Sequence, residues 1–234
     1  MACHGGPDIV EDNLVLCLDA ANTKSYPGSG TTWTDISGNG FNGTIYGSPS
    51  FSSDNGGSFV CDGSDDDIVL PTSLNSSAYE FYAAANYYYT VSCWFKPDVS
   101  DTGKNALFSK AGGFGGSGNL WVAYEGTNLG TSIRGSWDAD SIVDGTLTSE
   151  WHEVVIAWDG STCSAYFDGI FASNPSVGSA SIQARDFTIA GTNSGAGTGE
   201  LFKGNISVCK VYNKGLTAAE VKQNFDVLKG RYGL

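Results

Sequence analysis

The segment FKGNISVCKVY at residues 202–212 and the segment TAAEVKQNF at residues 217–225 decide the fold of this chain. The first predicts a β-strand interrupted by Gly204, because β-branched and aromatic residues dominate it. The second predicts a helix. Thr217 and Glu220 have the spacing of a capping box, in which each side chain satisfies an unpaired amide at the helix start. A long strand closed by one short helix therefore ends the chain.

The predicted helix carries one apolar stripe. Val221, Phe225 and Leu228 recur at i, i+4 and i+7, so they share a face that packs against the rest of the protein. Leu216 precedes the cap and Val221 follows four residues later, the arrangement of a hydrophobic staple. Gly230 is placed to end the helix.

Four further segments add to this ending, and together they resemble laminin G-like domains of the concanavalin A-like jelly-roll superfamily. They are FVCDGSDD at 59–66, YTVSCWFKP at 89–97, WHEVVIAWDG at 151–160 and YFDG at 166–169. The resemblance implies an all-β fold, an antiparallel β-sandwich jelly roll with a short C-terminal helix. Turn signals every ~8–12 residues agree with a sandwich.

Length and composition predict a single globular domain. The 234 residues fall within the range of one all-β domain, and the 32 glycines show no period of three, which excludes a collagen-like chain. No repeat or linker divides the chain. We therefore expect an irregular N-terminal arm at 1–10, too short to order without a partner surface, and a jelly-roll domain at 11–234.

Charge and hydropathy disfavour two classes of partner. The net charge is −13, and no run of Lys or Arg exists, so nucleic-acid binding is not expected. No apolar stretch approaches the ~20 residues of a membrane span. The start, MACHGGPD, lacks the basic and apolar regions of a signal peptide, so we expect synthesis in a host cytoplasm without export.

Five of the six cysteines lie within predicted strands, namely Cys17, Cys61, Cys93, Cys163 and Cys209, whereas Cys3 lies in the irregular start. No pair has the spacing of a zinc or redox site. The favoured interpretation is free cysteines that act as small core hydrophobes. Disulfides stay open as an alternative, because the number of cysteines is even.

The opening polar segments are similar to a narrower group. LCLDAAN at 16–22, YPGSGTTW at 26–33 and DISGNG at 35–40 resemble the start of laminin G-like proteins encoded by tailed bacteriophages. This match covers polar loop residues that core packing does not dictate. It implies a virion structural or decoration protein, located in the particle, whose partners are other capsid or tail proteins.

Catalytic patterns are absent from the sequence, and we expect no enzyme. Glycoside hydrolases of related fold use two carboxylates ~5–10 Å apart, which requires acidic residues on one strand face. Glu150 and Glu153 have the wrong spacing for this, and His4 and His152 are the only histidines. The glycine-rich segments at 112–118 and 191–199 lack the Lys-Ser/Thr pair of a phosphate-binding loop and are interpreted as loops.

A calcium site is the most credible chemistry. Asp62, Asp65 and Asp66 crowd one predicted turn together with Asp67, and calcium prefers several hard oxygen ligands. Packed carboxylates repel each other unless a cation or water offsets them. Calcium is therefore a hypothesis, and a solvated acidic turn is the alternative.

Aromatic residues outside the core are candidates for stacking on sugar rings. Trp137, Trp121 and Tyr82 are the proposed ligand-binding residues. The remaining tryptophans fall on strand or anchor positions of the family and are predicted to be core: Trp33, Trp94, Trp151 and Trp158. The aromatic insert at 78–89 is a further candidate, as a contact between subunits of a homo-oligomer.

The sequence thus predicts a non-enzymatic jelly-roll protein of a bacteriophage particle, acting in assembly or in surface adhesion. The alternative is a carbohydrate-binding lectin domain that recognises host surface glycans, with calcium dependence as an added hypothesis. The two roles are compatible, because a virion protein can serve adhesion.

Overall fold

Two antiparallel β-sheets packed face to face form the body of the protein. The structure, a computed structural model, describes residues 8–75, 87–110, 120–133, 140–178, 186–192 and 200–234. Each sheet contains eight strands in these ranges, and one α-helix follows the last strand. The predicted class, an antiparallel β-sandwich with a short C-terminal helix, is confirmed.

The strands of the described residues are numbered in chain order. They are β1 Leu14–Asp19, β2 Thr32–Trp33, β3 Gly43–Tyr46, β4 Ser50–Ser52, β5 Ser58–Asp62, β6 Asp67–Val69, β7 Tyr89–Pro97, β8 Lys104–Lys110, β9 Leu120–Glu125, β10 Asn128–Ile133, β11 Asp140–Val143, β12 His152–Trp158, β13 Cys163–Phe167, β14 Ile170–Ser173, β15 Thr188–Ile189 and β16 Lys203–Tyr212.

The strand order interleaves distant parts of the chain. The first sheet runs β14-β13-β12-β7-β16-β5-β4, and β1 also pairs with β16; the second runs β11-β10-β9-β8-β15-β6-β3-β2. Strand β16 pairs with β7 along one side. Its other side pairs with β5 through Lys203–Ile206 and with β1 through Val208–Tyr212. The last strand is therefore central to the sheet.

The main core lies between the sheets. Alternate residues of each strand point inward, since the side-chain period of a strand is two. Trp33, Phe59, Phe95 and Phe108 are fully buried there. Trp94, Trp151 and Trp158 are also buried, which confirms the prediction that these tryptophans, with Trp33, are core residues.

The helix α1 (Ala218–Leu228) covers the outer face of the first sheet. Thr217 and Glu220 form the predicted capping box. Leu216 and Val221 are buried in one cluster with Tyr212, as the hydrophobic staple requires. The predicted helix start is therefore confirmed at the level of its hydrogen bonds.

The helical segment continues past Gly230, where the sequence predicts its end. Gly230 does not terminate α1 but lies inside a 3-10 turn at Lys229–Tyr232, which ends at Gly233 in the left-handed conformation. The extra turn carries Tyr232 over Trp94. The indole of Trp94 stacks on Phe225 at 5.3 Å and on Tyr232 at 4.3 Å between ring centroids. Continued burial of aromatic rings extends the helical segment beyond the glycine.

The described end of the N-terminal arm packs on the protein's own helix. The Val10 amide donates to the Asn224 side chain at 2.8 Å, and the Gln223 side chain donates to the Asp8 carbonyl at 2.7 Å. Val10 is 8 % exposed and belongs to the cluster beneath α1. The expectation that the arm at 1–10 needs a partner surface is thus wrong for residues 8–10, because α1 supplies one.

The strands without a clear sequence signal lie at sheet edges. Strands β14 and β4 form the two ends of the first sheet, and strands β11 and β2 form the two ends of the second. Strand β14 has only four residues, and its adjacent apolar side chains Ile170 and Phe171 are both exposed, so it lacks the apolar/polar alternation that marks half-buried strands. The first strand, β1, begins only at Leu14, because a turn with Asn13 at positive φ precedes it.

The cysteines of the described residues are free and buried, as predicted, and Cys3 lies outside those residues. Burial raises the pKa of the Cys17 thiol to about 11 and that of Cys93 well above its ordinary value. Thiols with raised pKa react slowly, because the thiolate is the nucleophile. These cysteines therefore act as core residues.

A buried ion pair lies under α1. Glu153 of β12 and Lys210 of β16 are 0 % and 1 % exposed, and Lys210 Nζ is 3.9 Å from Glu153 Oε1. Strands β12 and β16 lie on either side of β7, so the ion pair reaches across β7. Glu153 is paired in register with Trp94 of β7, and Lys210 with Ser92. Burial raises the pKa of Glu153 to about 7, against the attraction of the Lys210 ammonium.

In the described part of the chain, no helix combines the length and the apolarity that crossing a bilayer requires.

The ion pair generates a pH-dependent prediction. The folded protein binds the Glu153 proton more tightly than the unfolded chain, so stability falls by about 3 kcal/mol as pH rises from ~4.5 to ~7. At pH 8, Lys210→Met leaves the buried Glu153 carboxylate unpaired, which costs roughly 3–5 kcal/mol of stability. At pH 5 the Glu153 side chain is a neutral acid, so the same substitution leaves no buried charge. We expect its loss of melting temperature to be large at pH 8 and small or reversed at pH 5.

Two variants control this measurement. Lys222→Met removes an exposed helical lysine and should change the melting temperature little at either pH. The double variant Glu153→Gln/Lys210→Met should recover most of the loss at pH 8. An equal loss for Lys210→Met at both pH values would contradict the interpretation.

Candidate functional site

The acidic turn, defined as residues 62–66 between β5 and β6, brings the three predicted metal ligands together. One ligand oxygen from each of Asp62, Asp65 and Asp66 lies within 4.8 Å of the others. The turn is held locally: the Ser64 amide donates to Asp62 Oδ1 at 2.7 Å, and the Asp62 amide donates to Asp66 Oδ2 at 3.0 Å. Gly63 has φ +81, which permits the tight reversal.

The three carboxylates differ in environment. Asp62 and Asp65 are exposed, whereas Asp66 is 3 % exposed. Burial raises the pKa of Asp66, and the carboxylates of Asp62, Asp65 and Asp67 raise it further. Asp67, the fourth acid of the predicted turn, is the first residue of β6 and is buried. A divalent cation would relieve the repulsion, and the carboxylates supply the hard oxygens that calcium prefers.

A neighbouring turn packs directly against these acids. A Cβ at Gly47, which has φ +79, would lie 2.3 Å from the Asp65 carbonyl oxygen and 2.6 Å from Asp66 Oδ1. Glycine is therefore required for this approach. The preceding Tyr46 pairs with Asp67 and is 41 % exposed. The close approach places an exposed aromatic ring beside the acidic turn.

Of the three predicted sugar-stacking residues, the structure describes one. Trp137 and Tyr82 lie outside the described residues. Trp121 is only 6 % exposed and packs beside Ala106 and Ala123 on the outer face of the second sheet. The proposal of Trp121 as an exposed stacking residue is therefore wrong.

Tyr46 is an exposed aromatic that the sequence interpretation missed. In β3 the burial alternates, with Gly43 and Ile45 buried and Thr44 and Tyr46 exposed. This period of two was present in the sequence GTIY and would have placed Tyr46 on the outer face. Tyr88, within the aromatic insert, is also half exposed and lies against Gly160.

One histidine joins a chain of contacts with the order of a catalytic triad. Thr148 Oγ1 lies 3.0 Å from His152 Nε2, and His152 Nδ1 lies 2.8 Å from Asp168 Oδ2. Asp168 also accepts the Glu153 amide at 2.9 Å, while its own amide donates to the Glu153 carbonyl. The aspartate thus ties the β13–β14 turn to β12. Because Asp168 makes these hydrogen bonds to the backbone of Glu153, its contact with His152 has a structural role.

The polar opening loops form an internal framework. Asp35, 7 % exposed, accepts hydrogen bonds from the amides of Cys17, Ser37 and Phe41 at 2.9–3.1 Å and from the Ser37 hydroxyl at 2.9 Å. A buried carboxylate is tolerated only with such partners. The segment DISGNG is therefore fixed by hydrogen bonding, although it lies outside the apolar core.

The family comparison identifies the fold class independently. The laminin G-type family model described as "Concanavalin A-like lectin/glucanases superfamily" matches residues 62–222, more than half of the chain. No curated protein matches the sequence. The matched range includes the acidic turn and the start of α1.

Solved structures share the architecture at low sequence identity. The botulinum neurotoxin serotype D binding domain is 13% identical with a TM-score of 0.67, over 94% of this chain and 52% of that chain. The binding domain of Paraclostridial Mosquitocidal Protein 1 is 13% identical with a TM-score of 0.67, over 93% and 52%. Trypanosoma rangeli sialidase in complex with sialic acid is 20% identical with a TM-score of 0.66, over 92% and 33%.

These likenesses concern the fold. The chain spans about half the length of the toxin binding domains and a third of the sialidase. The two-sheet architecture, the family match and the structural neighbours agree. This chain belongs to the concanavalin A-like lectin/glucanases superfamily, as a laminin G-type domain.

Proposed function

We propose that this domain is a non-enzymatic module that binds carbohydrate. The observation that carries the proposal is its membership in a lectin-type superfamily, supported by the kind of protein in which the same fold occurs. The neighbours include binding domains of toxins, among them botulinum neurotoxin type C, whose cell entry depends on interaction with two ganglioside molecules, and a sialidase in complex with sialic acid. A rigid sandwich displays loops at its rims, where recognition of a glycan needs no moving parts.

The lack of catalysis is part of this proposal. Among the described residues, Glu153 is buried beneath α1 and Glu150 lies in an exposed turn, so these two acids do not flank a common space. The contacts of Thr148, His152 and Asp168 are explained by the tie between β12 and the β13–β14 turn. Binding without bond cleavage fits these assignments.

A glycan array tests the proposal. We expect the folded protein to bind a subset of immobilised host-surface glycans above background and to release them uncleaved. Heat-unfolded protein is the matched control and should bind none. Uniform background on the array, or cleaved products in the eluate, would contradict the proposal.

We further propose that the acidic turn binds calcium. The support is the approach of three carboxylates within 4.8 Å, whose mutual repulsion a divalent cation would relieve. The backbone bond from Asp62 occupies one oxygen of Asp66. Loop carbonyls and water would complete the six to eight oxygens that calcium takes. Calcium bound here would take no part in catalysis and would stiffen one rim of the sandwich.

Calcium binding has a thermal readout. Extracellular modules bind calcium with Kd of ~10⁻⁴–10⁻³ M, so 5 mM calcium should stabilise by about 1–2 kcal/mol and raise the melting temperature by a few degrees. EDTA should reverse the change, and Asp65→Asn should abolish it. Asp144→Asn, an exposed acid elsewhere, is the control. An unchanged melting temperature with no heat in calorimetry would remove calcium from the proposal.

A second role is favoured by the opening loops. The segments at 16–22, 26–33 and 35–40 resemble phage-encoded laminin G-like proteins. We propose that the domain is carried on a bacteriophage particle as a structural or decoration component, attached to capsid or tail proteins after synthesis in the host cytoplasm. Adhesion through a bound glycan would then be one task of the particle. Oligomerisation through the insert at 78–89 stays a prediction.

Particle association is directly measurable. We expect mass spectrometry of purified particles from the parent phage to detect this chain in constant ratio to the major capsid protein, because a structural component has a fixed copy number. Detection only in the lysate, and not in particles purified on a density gradient, would contradict the virion role while leaving carbohydrate binding untouched.

A further inference from the structure

A polar pocket opens where the loop after β1 meets the C-terminal tail. It has a volume of about 340 Å³ and is lined by Asp19, Ala21, Asn22, Thr23 and Arg231. This volume is near the lower limit of sites that take small molecules. Asp19, Ala21 and Asn22 belong to the segment LCLDAAN, and Thr23 directly follows it.

The charged pair of the pocket is held in place before any ligand arrives. Arg231 Nη1 and Nη2 donate to the two carboxylate oxygens of Asp19 at 2.8 and 2.9 Å. Asp19 Oδ1 also accepts the Ala21 amide at 2.9 Å. The Arg231 carbonyl accepts the Asn55 side chain at 2.9 Å. A bidentate pair tied on both sides loses little entropy on binding.

The loop that supplies the other lining residues is also ordered. The amide of Asn22 donates to the Asp19 carbonyl at 3.0 Å, and the Asn22 carbonyl accepts from the amides of Ser25 and Tyr26 at 2.8 Å. The Asn22 Oδ1 accepts the Lys24 amide at 3.0 Å. The hydrogen bonds of the loop use the oxygens of Asn22, so its side-chain amide nitrogen can serve as a donor to a ligand.

Charge and polarity select the class of ligand. The charges of Asp19 and Arg231 cancel, so the pocket offers no excess charge to a phosphate, a carboxylate or a cation. The overall charge of −13 further disfavours anions. Ala21 is the only apolar residue of the lining, which leaves little surface for an apolar ligand. Neutral molecules rich in hydroxyl groups remain.

We propose that this pocket binds a neutral saccharide through two adjacent hydroxyl groups. One hydroxyl donates to the Asp19 carboxylate, and its neighbour accepts from the N–H groups of Arg231 that Asp19 does not use. The Asn22 amide and the Thr23 hydroxyl bind further hydroxyls. The inference rests on the proposed carbohydrate binding and assigns it a site.

Nuclear magnetic resonance of the ¹⁵N-labelled chain tests the site. The probes are a panel of neutral methyl hexosides, the methyl glycoside of N-acetylneuraminic acid, and glycerol, each at millimolar concentration. We expect saturable shifts of the amides of Ala21, Asn22 and Thr23 with at least one neutral hexoside. The acidic sugar and glycerol should bind more weakly, because one is charged and the other has no ring to fix its hydroxyls.

Matched variants separate contact from folding. Asn22→Ala and Thr23→Ala each remove one side chain of the pocket and should weaken hexoside binding roughly tenfold per lost hydrogen bond. Asn128→Ala and Thr102→Ala change the same residue types at exposed positions elsewhere, and Asn128 Oδ1 likewise accepts a loop amide, that of Gly145. These controls should bind as the unmodified protein does. Melting temperatures identify any variant that fails to fold.

The possible outcomes test the pocket and the proposed carbohydrate binding separately. Glycan binding on the array by both pocket variants at unmodified affinity, with no shift at residues 21–23, overturns the pocket and leaves the proposed function standing. Stronger binding of the acidic sugar, or equal binding of glycerol, overturns the assignment of a neutral saccharide. Silence on the array and in the spectra overturns the proposed function and the pocket together.

Discussion

The central strands of the first sheet bury both of their faces, and much of the structure depends on this constraint. An antiparallel sheet commonly leaves one face to water. Here the inner face of β7, β12 and β16 meets the second sheet, while α1 and the 3-10 turn after it cover the outer face. Trp94 stacked between Phe225 and Tyr232 joins the helix to the sheet. The same burial encloses Glu153 and Lys210, so a charged pair with a pH-sensitive acid is the consequence of closing this face.

Hydrogen bonds rather than apolar contacts fix the loops between β1 and β3. Asp35 organises three amides from two segments, and Asp19 joins the loop after β1 to Arg231 of the tail. These polar residues therefore maintain the shape of the loops. Their hydrogen bonds hold the loop at 19–23 in a defined conformation.

The two surfaces proposed for binding lie at rims of the sandwich. They are the acidic turn, which Gly47 next to Tyr46 approaches, and the pocket formed by Asp19 and Arg231. They lie at opposite ends of β5, because the acidic turn follows Asp62 whereas Gly57 packs against the Ala20 carbonyl. A cation at one rim and a sugar at the other would use separate surfaces of one rigid body.

The sequence by itself determined the sandwich, its central strands, the helix start and the clustering of Asp62, Asp65 and Asp66, because periodicity, capping and turn chemistry are local. Tertiary structure decided what depends on neighbours distant in the chain. It buried Trp121, exposed Tyr46, extended the helical segment past Gly230 and added the four edge strands, whose exposed residues carry no apolar pattern. It also paired Asp19 with Arg231, 212 residues apart. Burial and ion pairing across such separations arise only when the sheets and the tail are packed, so no local pattern encodes them.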